Sequence, residues 1–218
     1  MIEITKTDVY GFEAAIRGMR NPMNSWHKSD TINGEYYGKD ENGKEIIVKY
    51  DVPQIGLRDL DLIKHLVNAG SDHRKFMRMI TVSADILAPL YWWKEYDTYK
   101  IGTVANSCST MHKIHEKPFT LDDFSHEHLT PLALSTLDRV VDMLNNYRED
   151  FSLTKMKEDW WQMIQLLPSS YNQLRTVQLN YEVLYSIYFA RKDHKLDEWH
   201  TFCDWIKNLP YMRHFLEA

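Results

Sequence analysis

The residues best suited to chemistry form a short polar run, Asn106-Ser107-Cys108-Ser109-Thr110, that follows Lys100 after an aromatic stretch. Successive amides and hydroxyls of this kind can fold into a concave nest for an anion, and a thiol among them can act as a nucleophile once its pKa is lowered. The anion reading is the stronger. Reactivity needs a base or cation beside the sulfur, and the sequence does not bring His112 or Lys100 to it, so Cys108 also reads as a passive cysteine. His112, His115, His126 and His128 are the nearest approach to a metal cluster, and His112 and His115 would share a face if their segment were helical. No carboxylates stand at His-Glu-x-x-His spacing, so surface histidines are expected and no metal. Further on, Asn180 lies inside an apolar stretch read as helical, where an amide is disfavoured and must find partners. Arg191, read by itself, is a cation complementing a helix C-terminus.

These residues need a scaffold. Met1–Thr5 reads as a short strand, and Phe12, Ala15, Ile16 and Met19 recur at helical spacing. Two β-rich runs flank Asn42-Gly43, which predicts a tight hairpin, an insertion over residues 33–53. Leu60, Ile63, Leu66 and Val67 mark a helix ending at Gly70 in a left-handed cap. Residues 76–88 read as a partly buried strand closed by Ala88-Pro89, and 90–99 as a helix that delivers the 102–109 segment as a loop. Thr130-Pro131 predicts a helix N-cap followed by proline at the first helical position. Periodic segments over 154–166, 171–191 and 196–209 make the C-terminal half helical. The fold class is therefore α+β, an antiparallel sheet with a helical C-terminal half. Adjacent helical residues point about 100° apart, so Tyr91-Trp92-Trp93 and Trp160-Trp161 are not expected to share one core, and some should meet a ligand or another subunit.

The 218 residues read as a single domain, since nothing in the middle resembles a flexible linker. With 44% hydrophobic and 13% aromatic residues the chain can build its core without staples, and two cysteines at no metal spacing are expected to stay reduced. No apolar run approaches a membrane span and no signal-peptide pattern is seen, so a cytoplasmic protein is expected. A net charge of -5 argues against a nucleic-acid coat, although a local cationic pocket for one phosphate would not show in that total.

Taken in order, several blocks resemble the flavin-dependent thymidylate synthase family. They are Ala14-Ala15-Ile16-Arg17, Leu62-Ile63 to Gly70, Asp85-Ile86-Leu87-Ala88-Pro89-Leu90, Leu167-Pro168 with Tyr171, and Asn180, Leu184, Arg191, Asp193, His194, Glu198 and Trp199. Together they cover about two thirds of the chain. The family's hallmark is Arg-His-Arg followed at a fixed distance by Ser, within Asn-Glu-x-Ser-x-Arg-Tyr. The matching place here reads Thr98-Tyr99-Lys100, then eight residues, then Ser109, within Asn106-Ser107-Cys108-Ser109-Thr110-Met111-His112. The spacing, Asn106 and Ser109 are kept. Both arginines of the triplet are replaced, Lys100 alone keeps a charge, and Ser107 and Met111 stand where Glu and Arg are expected.

The resemblance implies a homotetramer that binds FAD and methylates a dUMP-like pyrimidine nucleotide with methylenetetrahydrofolate and NADPH. It assigns Lys100, Asn106, Asn180 and His73 to the cofactor, and Ser107, Ser109 and Arg191 to the substrate, with Ser109 also catalytic. A guanidinium fork matches a phosphate better than one ammonium does, so the lost arginines call for replacement by Arg74, Arg78 or Arg175. The rival expectation is a non-catalytic nucleotide-binding or assembly protein that kept the scaffold and lost the flavin chemistry. In either case the elbow around Ser109, Asn180 and Arg191 are expected to converge on a flat heterocycle.

Overall fold

The computed structural model describes residues 2–32, 37–39, 45–47 and 52–218. In chain order the elements are β1 (Glu3–Tyr10), α1 (Phe12–Arg20), β2 (Tyr37–Lys39), β3 (Glu45–Ile47), α2 (Leu57–Asn68), β4 (Thr81–Pro89), α3 (Leu90–Tyr96), β5 (Val104–Ser107), α4 (Pro131–Thr154), α5 (Lys157–Leu166), β6 (Asn172–Asn180), α6 (Tyr181–Arg191), α7 (Asp197–Asn208) and α8 (Met212–Leu216). The main sheet is antiparallel, in the order β1-β4-β6-β5. β2 and β3 pair antiparallel with Tyr37 opposite Ile47 and Lys39 opposite Glu45, and the Asn42-Gly43 turn expected between them lies outside the described residues.

Contacts divide the chain into two compact units, one of Met1–Glu3, Asp85–Thr98 and Ala105–Thr176, the other of Ile4–Ala84, Tyr99–Val104 and Val177–Ala218. In the first unit, α4 buries Leu137, Val141 and Leu144 against Met163 of α5 and against Phe119 and Phe124. Thr130 caps α4 by accepting the Ala133 N–H, with Pro131 at the first helical position as its sequence predicts. Lys155 ends α4 in a left-handed conformation at φ 57°, so α5 starts only at Lys157.

In the second unit α1 buries the predicted Phe12, Ala15, Ile16 and Met19. The Phe12 ring meets Tyr181 edge-on at 5.4 Å, and Tyr181 in turn meets Phe215 at 5.6 Å. In the same unit Arg20 and Asp59 form a buried ion pair at 2.6 Å. Helix α2 buries Ile63 and Val67, and Gly70 follows it at φ 100°, the left-handed conformation expected there.

Three expectations are corrected. The strand expected over 76–88 begins at Thr81, because Arg74–Met79 coils as a 3₁₀ helix that buries the adjacent Phe76 and Met77. The helix expected over 90–99 stops at Tyr96, and the segment after it, expected as a loop, contains the exposed strand β5. The helix expected over 171–191 is a strand followed by a helix. Along that strand Gln173, Val177 and Leu179 are buried while Leu174, Thr176 and Gln178 are exposed, close to a strand alternation. Within the two aromatic runs, Trp92 and Trp93 are both fully buried. The seven-residue α3 is enclosed on more than one side, so neighbouring positions both find packing, and the two rings meet at 4.9 Å. Trp161 is exposed, and Trp160 is half-buried with its N–H donated to the Met111 carbonyl at 3.1 Å.

Candidate functional site

In the first unit Cys108 and Ser109 open onto a cavity of about 250 Å³, also bordered by Leu87, Lys117, Asp123 and Tyr171. Two contacts fix the elbow in place. The Cys108 N–H donates to the Leu174 carbonyl at 2.9 Å, and the Cys108 carbonyl accepts from Gln173 Nε2 at 2.8 Å. Gln173 is itself oriented by Arg175, whose Nε donates to its Oε1 at 2.9 Å. Arg175 lies over the Trp93 ring at 4.3 Å and pairs with Asp97 at 2.8 Å. A cation–aromatic stack and an ion pair therefore hold the cavity wall from behind.

Within the cavity Lys117 binds Asp123 at 2.9 Å, and that hydrogen bond raises the Lys117 pKa. Burial pushes the Tyr171 hydroxyl above its ordinary pKa, with the Asp123 carboxylate adding to the effect. Tyr171 thus remains a protonated donor at neutral pH. The Ser109 hydroxyl accepts the N–H groups of Met111 and His112 at 3.2 and 3.0 Å. A hydroxyl also carries one proton to donate. Asn106 and Ser107 lie on exposed β5 and are not among the residues lining the cavity. Among the described residues no group of three or more His, Cys, Asp or Glu could hold a metal ion. Cys108 and Cys203 are both free thiols.

The second unit carries the remaining predicted residues. Asn180 is not inside a helix. It is the N-cap of α6, and its Oδ1 accepts the Val183 N–H at 3.1 Å. The partner that its burial demands is therefore its own helix's backbone. Arg191 lies in the last turn of α6, half-buried, with Nε donating to the Tyr99 hydroxyl at 2.8 Å. Its guanidinium lies 4.8 Å from the centre of the Trp199 ring and 5.6 Å from that of Tyr99. Helix α6 has 11 residues, a length of about 16 Å, so Asn180 and Arg191 stand at opposite ends of it rather than at one point. The 99–102 segment touches both, through Tyr99 at Arg191 and Gly102 at Asn180.

Gly102 has φ 74°, and a Cβ there would stand 2.8 Å from Asn180 Nδ2 and 3.2 Å from Val183 Cγ2. Gly102→Ala is expected to cost about 1–3 kcal/mol from the left-handed backbone alone. It should also displace the Asn180 amide, which a lower urea midpoint together with faster amide exchange at Val183 would register.

Lys100 is exposed and has no ion pair among the described residues. His73 is exposed ahead of the Arg74–Met79 coil. Neither Arg74 nor Arg175 is an idle cation. Arg74 binds both carboxylate oxygens of Glu182 at 2.9–3.0 Å and lies 4.5 Å over Tyr185, while Arg175 is engaged as described. Tyr99, Trp199, Lys117, Asp123, Tyr171 and Gln173 escaped the sequence reading as site residues. Three of them left a signal, Tyr99 as the middle residue of the matched triplet and Tyr171 and Trp199 within the blocks that carry the resemblance, whereas Lys117, Asp123 and Gln173 left none.

No family model matches the sequence, and no curated protein matches it. Solved structures do. Thymidylate Synthase X (ThyX) from Helicobacter pylori with FAD and dUMP matches over 99% of this chain and 97% of its own, with a TM-score of 0.67 and 16% identity. A second structure of flavin-dependent thymidylate synthase ThyX from Helicobacter pylori, complexed with FAD and dUMP, matches over 99% and 96% with a TM-score of 0.64 and 16% identity. The chain has the fold of the ThyX thymidylate synthases along nearly its whole length, at 16% sequence identity.

Proposed function

We propose that this chain is a divergent ThyX-like protein that binds a dUMP-like pyrimidine nucleotide together with FAD for reductive one-carbon transfer, assembled as a homotetramer. The observation that carries this reading is the near full-length likeness of its fold to a ThyX structure holding both ligands. In this proposal Arg191 meets the pyrimidine, Ser109 donates a hydrogen bond to the nucleotide and takes part in the reaction, and Ser107 lies beside it. Asn180 and Asn106 face the flavin. The exposed cations fit a phosphorylated cofactor, since Lys100 and Lys75 have no ion pair among the described residues and supply charge-assisted donors, with His73 as a further hydrogen-bonding group. FAD, when bound, carries the redox chemistry, with NADPH as reductant and methylenetetrahydrofolate as one-carbon donor. The protein's part is to bind, orient and exclude water.

A second reading is favoured by the engagement of Arg74, Arg175 and Arg191 with Glu182, Asp97 and Tyr99. Guanidiniums already satisfied within the chain suit a non-catalytic nucleotide-binding or assembly protein that no longer does flavin chemistry. Titrating the purified chain with FAD and with dUMP separates the two. The enzyme reading expects flavin uptake, dUMP binding, and a loss of about tenfold or more in dUMP affinity for Arg191→Ala, or ~1.4 kcal/mol. A chain that takes up no FAD but binds dUMP supports the second reading. Binding of both that neither Arg191→Ala nor Asn180→Ala weakens would overturn the residue assignment.

A further inference from the structure

A cavity of about 470 Å³ opens where the last turns of α6 and α7 meet α8, within the second unit and lined by none of the residues assigned above. Lys192, Lys207 and Arg213 border it, opposed by the single carboxylate of Glu217, and the rings of Tyr188 and Phe189 complete the wall. In a chain whose net charge is -5, three cations against one carboxylate run counter to the whole molecule. Each cation has a weak partner. Lys207 binds Asp204 at 2.7 Å, Lys192 stands 3.6 Å from Asp193, and Arg213 donates to the neutral Asn208 amide at 3.1 Å. Asp204 and Asp193 are 66% and 86% exposed, so water already screens both pairs and a multiply charged anion can displace them. The hydrogen bond to Asp204 raises the Lys207 pKa while nearby Arg213 pushes it the other way, so the two cations lie within electrostatic reach.

Cations near helix C-termini also offset the helix dipole. That accounts for each charge separately, but not for Phe189, left 46% exposed on the same cavity with the Tyr188 ring perpendicular to it at 5.3 Å. An exposed aromatic face beside clustered cations is the arrangement that holds a flat ring carrying phosphate groups. The volume lies within the usual range for small-molecule sites, and the mix of rings and cations meets both parts of such a ligand.

We infer that this cavity is a second ligand site, independent of the ThyX-like reading, which binds a nucleoside polyphosphate with its phosphates on Lys192, Lys207 and Arg213 and its base against Phe189. The same cations could take inorganic polyphosphate, so the test uses ADP, pyrophosphate and adenosine on the full chain, by calorimetry at low and at moderate salt. ADP should bind, adenosine should bind far more weakly, and raising the salt should weaken ADP. Lys192→Ala with Arg213→Ala should lower ADP affinity tenfold or more. Phe189→Ala should weaken ADP several-fold and leave pyrophosphate unchanged. Arg191→Ala, which reads the other site, should leave ADP binding intact, so failure of the ThyX-like reading shows separately as absent dUMP and FAD binding. The altered side chains lie on the surface of the cavity, and circular dichroism checks that each variant folds. No binding of ADP at low salt, or ADP binding that the double variant does not weaken, overturns the site. Equal affinity for pyrophosphate and ADP, unmoved by Phe189→Ala, overturns the nucleoside part.

Discussion

Asp59→Asn lowers the free energy of unfolding by about 3–5 kcal/mol, the cost of removing one partner from a buried ion pair. Asp59 is fully buried, and its two oxygens serve different clients. Oδ1 accepts Arg20 Nε at 2.6 Å, while Oδ2 accepts the Ser29 hydroxyl, the Asp30 and Thr31 N–H groups and the Thr31 hydroxyl at 2.7–3.1 Å. An amide keeps one acceptor oxygen and turns its other end into a donor facing donors, with Arg20 left charged in the interior. Urea unfolding of the two proteins measures the difference. Substituting Arg20→Met together with Asp59→Leu should not restore stability, because the loop donors stay orphaned. Full recovery in that double variant would show that the loop does not depend on the carboxylate.

The same residue sets an acid dependence. Burial pushes the Asp59 carboxyl up, but hydrogen bonds from Ser29, Thr31 and Arg20 outweigh it and hold the pKa below the usual aspartate value. In the unfolded chain the group titrates near the ordinary value of about 3.9. Between the depressed folded pKa and that value the unfolded state binds more protons, so stability rises with pH across the interval. The contribution is fully present above about pH 5 and is lost as pH falls through the folded pKa. Stability measured from pH 6 downward should therefore fall more steeply in the wild type than in Asp59→Asn. Parallel curves would remove Asp59 as the cause.

Trp93→Ala is expected to cost a similar amount, about 3–5 kcal/mol, for an aromatic side chain deleted from a core. The indole is fully buried, 5.1 Å from the Tyr96 ring and 4.9 Å from that of Trp92. Its N–H donates to the Gln173 carbonyl at 2.9 Å. Trp93→Phe separates the terms, since it keeps most of the packing and leaves that carbonyl unpaired, at a cost of about 1–3 kcal/mol. Because Arg175 rests on this ring and orients Gln173, the alanine variant should also loosen the cavity wall at Cys108. Faster alkylation of the Cys108 thiol in folded Trp93→Ala than in wild type would register this. An unchanged rate would separate the elbow from the stack behind it.

Local patterns in the sequence were sufficient wherever a residue's role depends on its near neighbours along the chain. The Phe12, Ala15, Ile16 and Met19 face, the Thr130-Pro131 start of α4 and the left-handed Gly70 are all of this kind, because caps and amphipathic faces are set within a few residues. The ordered blocks that resemble flavin-dependent thymidylate synthases pointed to the fold, although the hallmark triplet reads Thr98-Tyr99-Lys100. Tertiary structure decided the rest. Residues 171–191 carry apolar side chains at spacings that suit a helix or a strand, and sheet pairing makes the first part β6, which moves Asn180 from a helix interior to a helix cap. Tyr99, Glu182 and Asp97, to which Arg191, Arg74 and Arg175 bind, lie 92, 108 and 78 residues away, distances across which no local pattern carries information. For the same reason the gathering of Lys192, Lys207 and Arg213 around Phe189 is invisible in the sequence, where their charges read as separate surface residues and only the packing of three helix ends makes them one cavity.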